Sequence, residues 1–219
     1  IDNVVVTANK YATKQKEVAT IVNVVSPLII ESTSSNSMAD VLNFQTGLRV
    51  EETCSNCGVP QIRINGLEGQ YTQILMDSRP IFSSLASVYG LEQLPAGMVD
   101  RIEVIRGGGS ALYGANAIAG VVNIITKEPT RNFFNVSNSS AFTEKGTYDI
   151  NTNLNASVVS ENQKAGIYLF GVQRNRQQYD RDDDGFSDIP HLNSTTAGFR
   201  SFFKTSEYSK LTTEYHHTT

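Results

Sequence analysis

Hydrophobic and polar residues alternate in short stretches along this chain, with turn residues between the stretches. In residues 99–105, charged and apolar residues alternate with a period of two, which is typical of a half-buried strand. Residues 120–127 are rich in β-branched side chains, end before Pro129 and predict a second strand. Between these strands, Ser110 predicts the N-cap of one helical turn, and Gly114 predicts its end.

The part of the chain before Pro129 alternates short strand and helix patterns. A capping arrangement at Ser37, followed by apolar residues at helical spacing, predicts a short helix that Gly47 ends. Further strands, the first of them ended by Ser26 and Pro27, are predicted at residues 21–25, 48–50, 61–66 and 73–77. Such alternation over about 130 residues predicts an α+β domain with a small mixed sheet and short helices.

The pattern changes after Pro129. From Tyr148 to Val158 every second residue is apolar or amphipathic, and an aspartate, asparagine or serine lies between each pair. A strand of this kind presents one face to lipid and the other to water. Five antiparallel strands, each near the roughly 9–11 residues that a spanning strand needs, are predicted at residues 132–142, 147–160, 163–176, 195–206 and 210–219. A soluble meander has the same period and is the alternative.

Composition excludes several classes of protein. The 219 residues are 39% hydrophobic and 18% charged, with a formal net charge of -4. This suffices for a hydrophobic core but does not provide the clustered basic charge that a nucleic-acid partner needs. The sequence has no apolar run of about 18 residues, so a transmembrane helix is not predicted. The chain starts at Ile1 without a signal peptide, which predicts a processed chain.

Three consecutive glycines, beginning at Gly107, raise the question of a phosphate-binding loop. A P-loop needs Lys followed by Ser or Thr after its last glycine, and a dinucleotide site needs G-x-G-x-x-G before a full helix. The sequence has neither arrangement here, so a nucleotide site is not predicted. The string IRG at residues 105–107, with SALYG at 110–114 and GVVNIIT at 120–126, instead resembles the end of the plug domain of TonB-dependent outer-membrane receptors.

This resemblance implies both a fold and a function. The α+β plug domain would be followed by antiparallel β-strands of an incomplete transmembrane β-barrel, in the outer membrane of a Gram-negative bacterium. Receptors of this family are not enzymes and need no catalytic cofactor. They bind a scarce small-molecule nutrient outside the cell, and the TonB energy-transducing protein pulls the plug. The resemblance favours a corrinoid, with haem or an iron siderophore as the alternative, and allows a surface lipoprotein as a further partner.

One stretch near the start resembles the TonB box, which adds a strand to the TonB protein. From composition alone it would be an ordinary first strand. The stretch comprises Val4, Val5, Val6, Thr7 and Ala8. Together with the polar run after it, the stretch gives the predicted division of the chain. Residues 1–16 are the TonB box and a flexible leash, residues 17–129 the plug domain, and residues 130–219 the first strands of the barrel.

The resemblance assigns two further sets of residues. In the family, plug arginines face barrel glutamates, with ordinary strand charges as the alternative reading of such positions. The matching residues are Arg63, Arg101 and Arg106. Apical loops of the plug contact the nutrient in the family. The residues that match these loops by position are Ser83, Ser84 and Tyr89.

The two cysteines, Cys54 and Cys57, lie in the turn CSNCG. A thioredoxin-type motif would lie between a strand and a helix. A zinc site would need two more ligands, and the three histidines are distant in sequence. A disulfide is the interpretation that fits an oxidising periplasmic or surface location. Free thiols, a metal site and a thiol oxidoreductase are the alternatives.

An acidic segment, residues 180–188, predicts a calcium site. It has carboxylates at positions 1, 3, 5 and 9 and a glycine at position 6, as calcium loops do. The candidate metal ligands are Asp180, Asp182, Asp184 and Asp188. His191 replaces the glutamate of position 12, so a low calcium affinity is expected. The segment also resembles the calcium-bearing extracellular loop of vitamin B12 receptors, and a solvated acidic turn is the alternative.

The length of the chain bears on what it can form by itself. A plugged barrel takes about 22 strands, many more than the five predicted here. We therefore expect the chain to be the N-terminal part of a larger receptor, and calcium to bind in the full-length protein. A calcium-dependent surface binding protein without transport is the rival function, and it predicts that removal of residues 2–8 leaves uptake unchanged.

Overall fold

The computed structural model describes residues 5–6, 13–18, 21–32, 38–52, 60–80 and 96–219. The chain forms two compact units, and each is described by itself. Among the described residues, the first unit comprises those up to Thr126 and the second unit those from Lys127 onward.

The described part of the first unit consists of short strands, three short helices and three single 3₁₀ turns. The strands are β1 (Val5–Val6), β2 (Thr13–Lys14), β3 (Val22–Val25), β4 (Leu48–Glu52), β5 (Pro60–Ile64), β6 (Thr72–Met76), β7 (Arg79–Pro80), β8 (Val99–Arg106) and β9 (Gly120–Thr126). The helices are α1 (Pro27–Ser32), α2 (Met38–Asn43) and α3 (Ser110–Tyr113). The 3₁₀ turns are Gln15–Glu17, Gly69–Tyr71 and Ala96–Met98.

Five of these strands form one mixed sheet, in the order β3-β8-β9-β6-β7. Strand β9 pairs antiparallel with β8 and parallel with β6, so the last strand of the unit lies at the centre of the sheet. Strands β8 and β9 are buried on both faces, and their residues Ile102, Val122 and Ile124 have no exposed surface. Burial of these β-branched side chains is the main stabilising term of the sheet. The predicted small mixed sheet with short helices is confirmed.

Two local details differ from the sequence pattern. The pattern predicts only a strand end at Ser26 and Pro27, whereas helix α1 begins there. The Ser26 carbonyl accepts hydrogen bonds from the N–H groups of Ile29 and Ile30, at 3.0 and 3.2 Å, and proline suits the first helical position because its missing N–H has no partner there anyway. In helix α3 the carbonyl that accepts the first bonds belongs to Gly109, one residue before the predicted N-cap.

The second unit is one antiparallel sheet of five strands in sequence order. Its strands are β10 (Phe133–Phe142), β11 (Tyr148–Val159), β12 (Ala165–Arg176), β13 (Leu192–Ser206) and β14 (Ser209–Thr218). All five predicted strands are present, within one to three residues of the predicted bounds. The predicted fold class, an α+β domain followed by antiparallel strands, is therefore confirmed.

The two faces of this second sheet are inverted relative to a water-soluble protein. One face, called the inner face here, is buried and carries polar groups: Asn151 and Ser157 are each only 2% exposed. The other face, the outer face, carries apolar side chains that remain exposed, among them Phe134 at 70% and Val158 at 60%. Exposed apolar and buried polar positions are what a strand shows when it faces lipid on its outer side.

No helix among the residues that the structure describes is long and apolar enough to cross a membrane.

Loop lengths orient the second sheet. At one end lie the turn 143–147 and the long loop 177–191, and at the other end lie the short turns 160–164 and 207–208. Membrane-spanning strands have short turns on the periplasmic side and longer loops outside the cell. The end with loop 177–191 is therefore the extracellular end, and the chain enters β10 from the periplasmic end.

Candidate functional site

The predicted acidic segment lies in the extracellular loop between β12 and β13. The neck of this loop is closed by a pair of backbone hydrogen bonds between Tyr179 and Ile189, with N···O distances of 2.9 and 3.1 Å. This bridge holds the two ends of the segment together independently of any ion, because both bonds are made by the backbone itself. The acidic side chains thus lie on a closed loop rather than on a free strand.

Inside the loop, Asp180 organises the backbone. Its two carboxylate oxygens accept hydrogen bonds from the N–H groups of Asp183 and Gly185, at 2.7 and 3.0 Å. The chain can curl in this way because Asp183 and Gly185 have positive φ angles of 60° and 90°. At the far end, Asp188 accepts a hydrogen bond from the N–H of Arg181 at 2.8 Å. The loop is therefore wound around its own carboxylates.

Three of the four predicted metal ligands converge. Carboxylate oxygens of Asp180, Asp182 and Asp188 all lie within 4.8 Å of one another. Calcium binds oxygens at about 2.3–2.6 Å, so oxygens up to about 5 Å apart can share one ion. The residues present therefore fit calcium as a partial ligand set, to be completed by backbone oxygens or water. Asp184 is outside the group, and its Oδ1 accepts a hydrogen bond from the N–H of Phe186 at 2.8 Å.

A lysine from the neighbouring turn binds the same loop. The Nζ of Lys145 donates to the backbone oxygen of Asp180 and to the Oδ1 of Asp183, both at 2.7 Å. The hydrogen bond to Asp183 raises the pKa of Lys145 above its ordinary value, with some opposition from desolvation. The hydroxyl of Tyr179 donates to Glu144 in the same turn at 3.3 Å. These contacts tie the two extracellular loops together. None of them is made to the carboxylates of Asp180, Asp182 or Asp188.

The electrostatic state of Asp180 suits a cation. Partial desolvation raises its pKa, but hydrogen bonds from the backbone N–H groups of Gly185, Asp183 and Asp184 outweigh it and keep the pKa below its ordinary value. The carboxyl group is thus ionised at neutral pH, which a hard cation requires of its ligand.

The three predicted plug arginines have their described contacts inside the first unit. The Nε of Arg63 pairs with Glu51 at 2.7 Å, and the Nε of Arg101 pairs with the fully buried Glu103 at 3.0 Å. Arg106 donates to the backbone oxygen of Thr46. The contact of these arginines with barrel glutamates stays a prediction.

Several predicted site residues lie outside the described residues. Among them are both cysteines, all three apical-loop candidates and part of the TonB box. They are Cys54, Cys57, Ser83, Ser84, Tyr89, Val4, Thr7 and Ala8. Val5 and Val6 are described, and their backbone forms strand β1, which pairs antiparallel with β2. The roles assigned to all these residues stay predictions.

Sequence reasoning missed a polar cluster on the inner face. Arg174, whose side chain is 8% exposed, makes a two-pronged ion pair with Asp149, with distances of 3.0 and 2.7 Å. The hydroxyl of Tyr168 donates to Asn155 at 2.6 Å. Each partner lies on the neighbouring strand, so only the register of β11 on β12 could have predicted these pairs. The period-two pattern gives the face of each residue but not its partner.

The fold and the extracellular loop define a class of protein, and comparison with known families identifies it. Residues 14–121 match the family model described as TonB-dependent Receptor Plug Domain. The chain thus contains a plug domain of the TonB-dependent receptors, a family of the Gram-negative outer membrane, as the sequence resemblance implies.

Among sequence relatives, the chain resembles vitamin B12 transporters. It is 37% identical over 125 residues to the vitamin B12 transporter BtuB of Vibrio vulnificus, which covers 57% of this chain and 20% of the relative. It is 30% identical over 126 residues to BtuB of Vibrio cholerae, which covers 58% of this chain and 21% of the relative. The chain therefore spans about a fifth of the length of these relatives.

Solved structures show the same fold. The siderophore receptor PirA from Acinetobacter baumannii aligns with a TM-score of 0.76 at 22% identity, over 93% of this chain and 32% of that receptor. The pyoverdine outer membrane receptor FpvA from Pseudomonas aeruginosa aligns with a TM-score of 0.74 at 15% identity, over 99% of this chain and 30% of that receptor. These relatives are receptors and transporters rather than enzymes, in agreement with the predicted non-enzymatic role.

Proposed function

We propose that this chain forms the plug and first barrel strands of a receptor that takes up a corrinoid across the outer membrane. The observation that carries the proposal is the joining of a plug domain to strands with an apolar outer face and a polar inner face. A corrinoid is favoured over an iron siderophore because the 37% identity is to a vitamin B12 transporter. The two siderophore receptors compared above, PirA and FpvA, are only 22% and 15% identical to this chain, which supports the fold alone.

Uptake by cells tests the ligand. The full-length receptor would be produced in a strain that lacks its own B12 and siderophore receptors, and accumulation of radiolabelled cyanocobalamin and of ferric enterobactin would be followed. We expect energy-dependent accumulation of cyanocobalamin and none of the siderophore. Accumulation of ferric enterobactin alone would move the receptor to the siderophore class, and surface binding without accumulation of either would favour a binding protein.

The proposed partner is TonB, which would pair with the segment from Val4 to Ala8 by strand addition. A Val5→Pro change removes one backbone N–H and should abolish or strongly reduce accumulation while surface binding of the nutrient persists. Val5→Ala keeps the N–H and is the matched control, for which we expect near-normal uptake. Equal loss in both variants would point to the side chain instead of backbone pairing.

We also propose that calcium binds the extracellular loop through Asp180, Asp182 and Asp188. The ion would replace mutual repulsion of the carboxylates by attraction and would stiffen the ligand-binding surface. Calorimetric titration of the purified full-length receptor with calcium tests this. Asp182→Asn should abolish most of the calcium-dependent heat, whereas Asp184→Asn, in the same loop but outside the group of three, should keep it. Absence of heat in the unaltered receptor would reduce the loop to a solvated acidic turn.

A further inference from the structure

The segment that links the two sheets, residues 127–132, follows a defined path within the second unit. Its contacts in chain order reach β14 and β13 from Glu128, β12 from Pro129 and β11 from Asn132, before the chain enters β10 at Phe133. The linker therefore crosses the five-stranded sheet strand by strand, from the last strand to the first, at the periplasmic end. A segment that merely spanned a gap would not meet each strand in turn.

Glu128 makes the outermost of these contacts. Its carboxylate accepts two hydrogen bonds from the Nζ of Lys210, at 2.8 and 3.1 Å, and its Oε1 lies 3.5 Å from the Nη2 of Arg200. Arg200 is in turn paired with Glu214 at 3.3 Å and is only 12% exposed. Arg200 on β13 and Glu214 on β14 thus form an ion pair within the sheet, and Glu128 adds a second carboxylate beside Arg200.

The partners of Glu128 belong to the inner face. The register places Arg200 opposite the buried Tyr168, and Glu214 opposite Arg200. Lys210 is four residues from Glu214 on the same strand and so points to the same side, because side chains alternate with a period of two. The linker therefore lies on the inner face, which is also the polar face of the sheet.

Pro129 makes the second contact. A Cβ added at Gly166 would come within 3.2 Å of the Cγ of Pro129 and within 2.6 Å of the Phe202 ring. Pro129 is buried, and the missing side chain at Gly166 leaves the space in which its ring lies. At the end of the linker, the Oδ1 of Asn132 accepts a hydrogen bond from the N–H of Val159 at 2.6 Å.

We propose that Glu128 is a positioning residue that clamps the end of the plug to the inner face, so that the linker is the fixed point against which the plug moves. The proposal rests on the proposed pulling of the N-terminal segment by TonB. Tension along the plug would end at the ion pair of Glu128 with Lys210 and would not reach β10. The barrel strands would then stay paired while plug elements are displaced.

Single-molecule pulling on the full-length receptor in a lipid bilayer tests the clamp. A handle fused to the N-terminal segment supplies the force, so the result does not depend on TonB or on any nutrient. If the clamp holds, extension of the unaltered receptor stops before residue 128. In Glu128→Gln we expect about a fivefold rise in pulls that continue through β10, as suits a half-exposed ion pair. Such pulls release about 50 Å of extra contour length.

Two further variants separate the ion pair from a general structural role. Lys210→Gln removes the same pair from the side of the sheet and should give the same rise, so the proposal is decided even if one variant does not assemble. Glu207→Gln changes an exposed carboxylate of the adjoining turn, for which the structure describes no ion pair, and should behave as the unaltered receptor.

The outcomes divide cleanly. Pulls that end at the same point in the unaltered receptor, Glu128→Gln and Lys210→Gln would overturn the proposal, as would an equal rise in Glu207→Gln. A clamp that holds in this assay while cells show no TonB-dependent uptake would leave the positioning role intact and refute the proposed function instead.

Discussion

The two five-stranded sheets of this chain share one strand geometry but bury opposite kinds of side chain. In the first unit the centre is apolar, with Val104, Val122 and Ile124 fully buried. In the second unit the buried face includes Asn151 and Arg174, while leucines and phenylalanines lie exposed on the other face. The same period-two pattern thus occurs in a sheet surrounded by water and in a sheet whose outer face meets lipid. Which of the two applies is shown by whether the apolar or the polar residues are buried.

Two of the polar side chains that the first sheet buries, Asn123 and Thr126, stabilise one turn. Asn123, fully buried on β9, accepts a hydrogen bond from the N–H of Ser78 at 2.9 Å. Thr126 donates its hydroxyl to Asp77 at 2.7 Å. Asp77 and Ser78 both have positive φ, at 47° and 65°, which is costly for residues other than glycine. These bonds hold the tight turn between β6 and β7. In the second sheet, by contrast, buried polar side chains are spread over three neighbouring strands of the inner face, as Asn151, Arg174 and Thr196 show.

A leucine-to-asparagine change placed in each sheet gives the largest expected contrast. Leu75 on β6 is fully buried, and Leu75→Asn should cost about 5 kcal/mol, from the lost apolar burial and an amide without partners. Leu169 on β12 is 42% exposed on the outer face, and Leu169→Asn should cost much less. The measurement is the shift in the urea midpoint of each unit in the full-length receptor. Equal shifts would break the comparison.

A charge on the outer face tests its solvent directly. Leu154 lies near the middle of β11 and is 42% exposed. In a bilayer, Leu154→Arg should cost about 2–4 kcal/mol, whereas Phe142→Arg, at the extracellular end of β10, should cost about 1 kcal/mol or less. Folding into lipid vesicles at graded denaturant concentrations measures both. A cost near zero at both depths would mean that this face meets water.

The buried polar groups of the first sheet predict a smaller effect. Asn123→Ala removes the partner of the Ser78 N–H and should cost about 1–3 kcal/mol, because a donor is left unpaired in a left-handed turn. Asn135→Ala, at an exposed position of β10, is the matched control and should change stability by less than about 0.5 kcal/mol. Amide exchange at residues 76–79 of the full-length receptor reports the effect, and unchanged exchange in Asn123→Ala would contradict it.

The smallest effect concerns pH and the linker of the second unit. Partial burial raises the pKa of Glu128, but hydrogen bonds and charge from Lys210 and Arg200 outweigh it and lower the pKa below its ordinary 4.5. A lowered pKa means that the ionised carboxylate stabilises the folded linker above about pH 4.5, and that this contribution is lost as the pH falls further.

Amide exchange of residues 127–132 at several pH values can detect this loss. We expect the unaltered receptor to be better protected than Glu128→Gln at pH 6 and 7, and the difference to shrink as the pH falls below about 4.5. A difference that grows as the pH falls would have the wrong sign for an ionised carboxylate.

The strands of both sheets except β7 were predictable, because the period-two pattern can be recognised in consecutive residues without knowing which strands pair. Strand β7 has only two residues, too few to show a period, and the turn residues Asp77 and Ser78 directly before it indicate a turn instead. Helix α1 was not predictable with the same rules. Pro27 suits a strand end and a first helical position equally well, and only the hydrogen bonds to the Ser26 carbonyl distinguish them. Helix α3 begins one residue earlier than predicted. Its N-cap is Gly109, whose carbonyl accepts the first hydrogen bonds, and glycine has no capping side chain by which the sequence pattern could identify it.

The candidate site was predictable in part for a related reason. The spacing of acids around Gly185 gave the loop and three converging carboxylates, since each position is local to the segment. It could not show that Asp184 points its oxygen at the N–H of Phe186, which depends on the local backbone turn. Nor could the spacing show that Lys145 donates a hydrogen bond to Asp183, 38 residues away in sequence. The two residues come together because the turn 143–147 and the loop 177–191 lie at the same end of the sheet.

The place of β9 in the first sheet bears on the order in which the protein can fold during export. It is the last strand of that unit to be synthesised, yet it pairs with both β8 and β6. Until β9 has been made, β6 has β7 as its only partner in this sheet and β8 has only β3. The apolar faces of these strands therefore stay exposed until the last strand of the unit has been made. Folding that depends on pairing between strands distant in sequence is also slow.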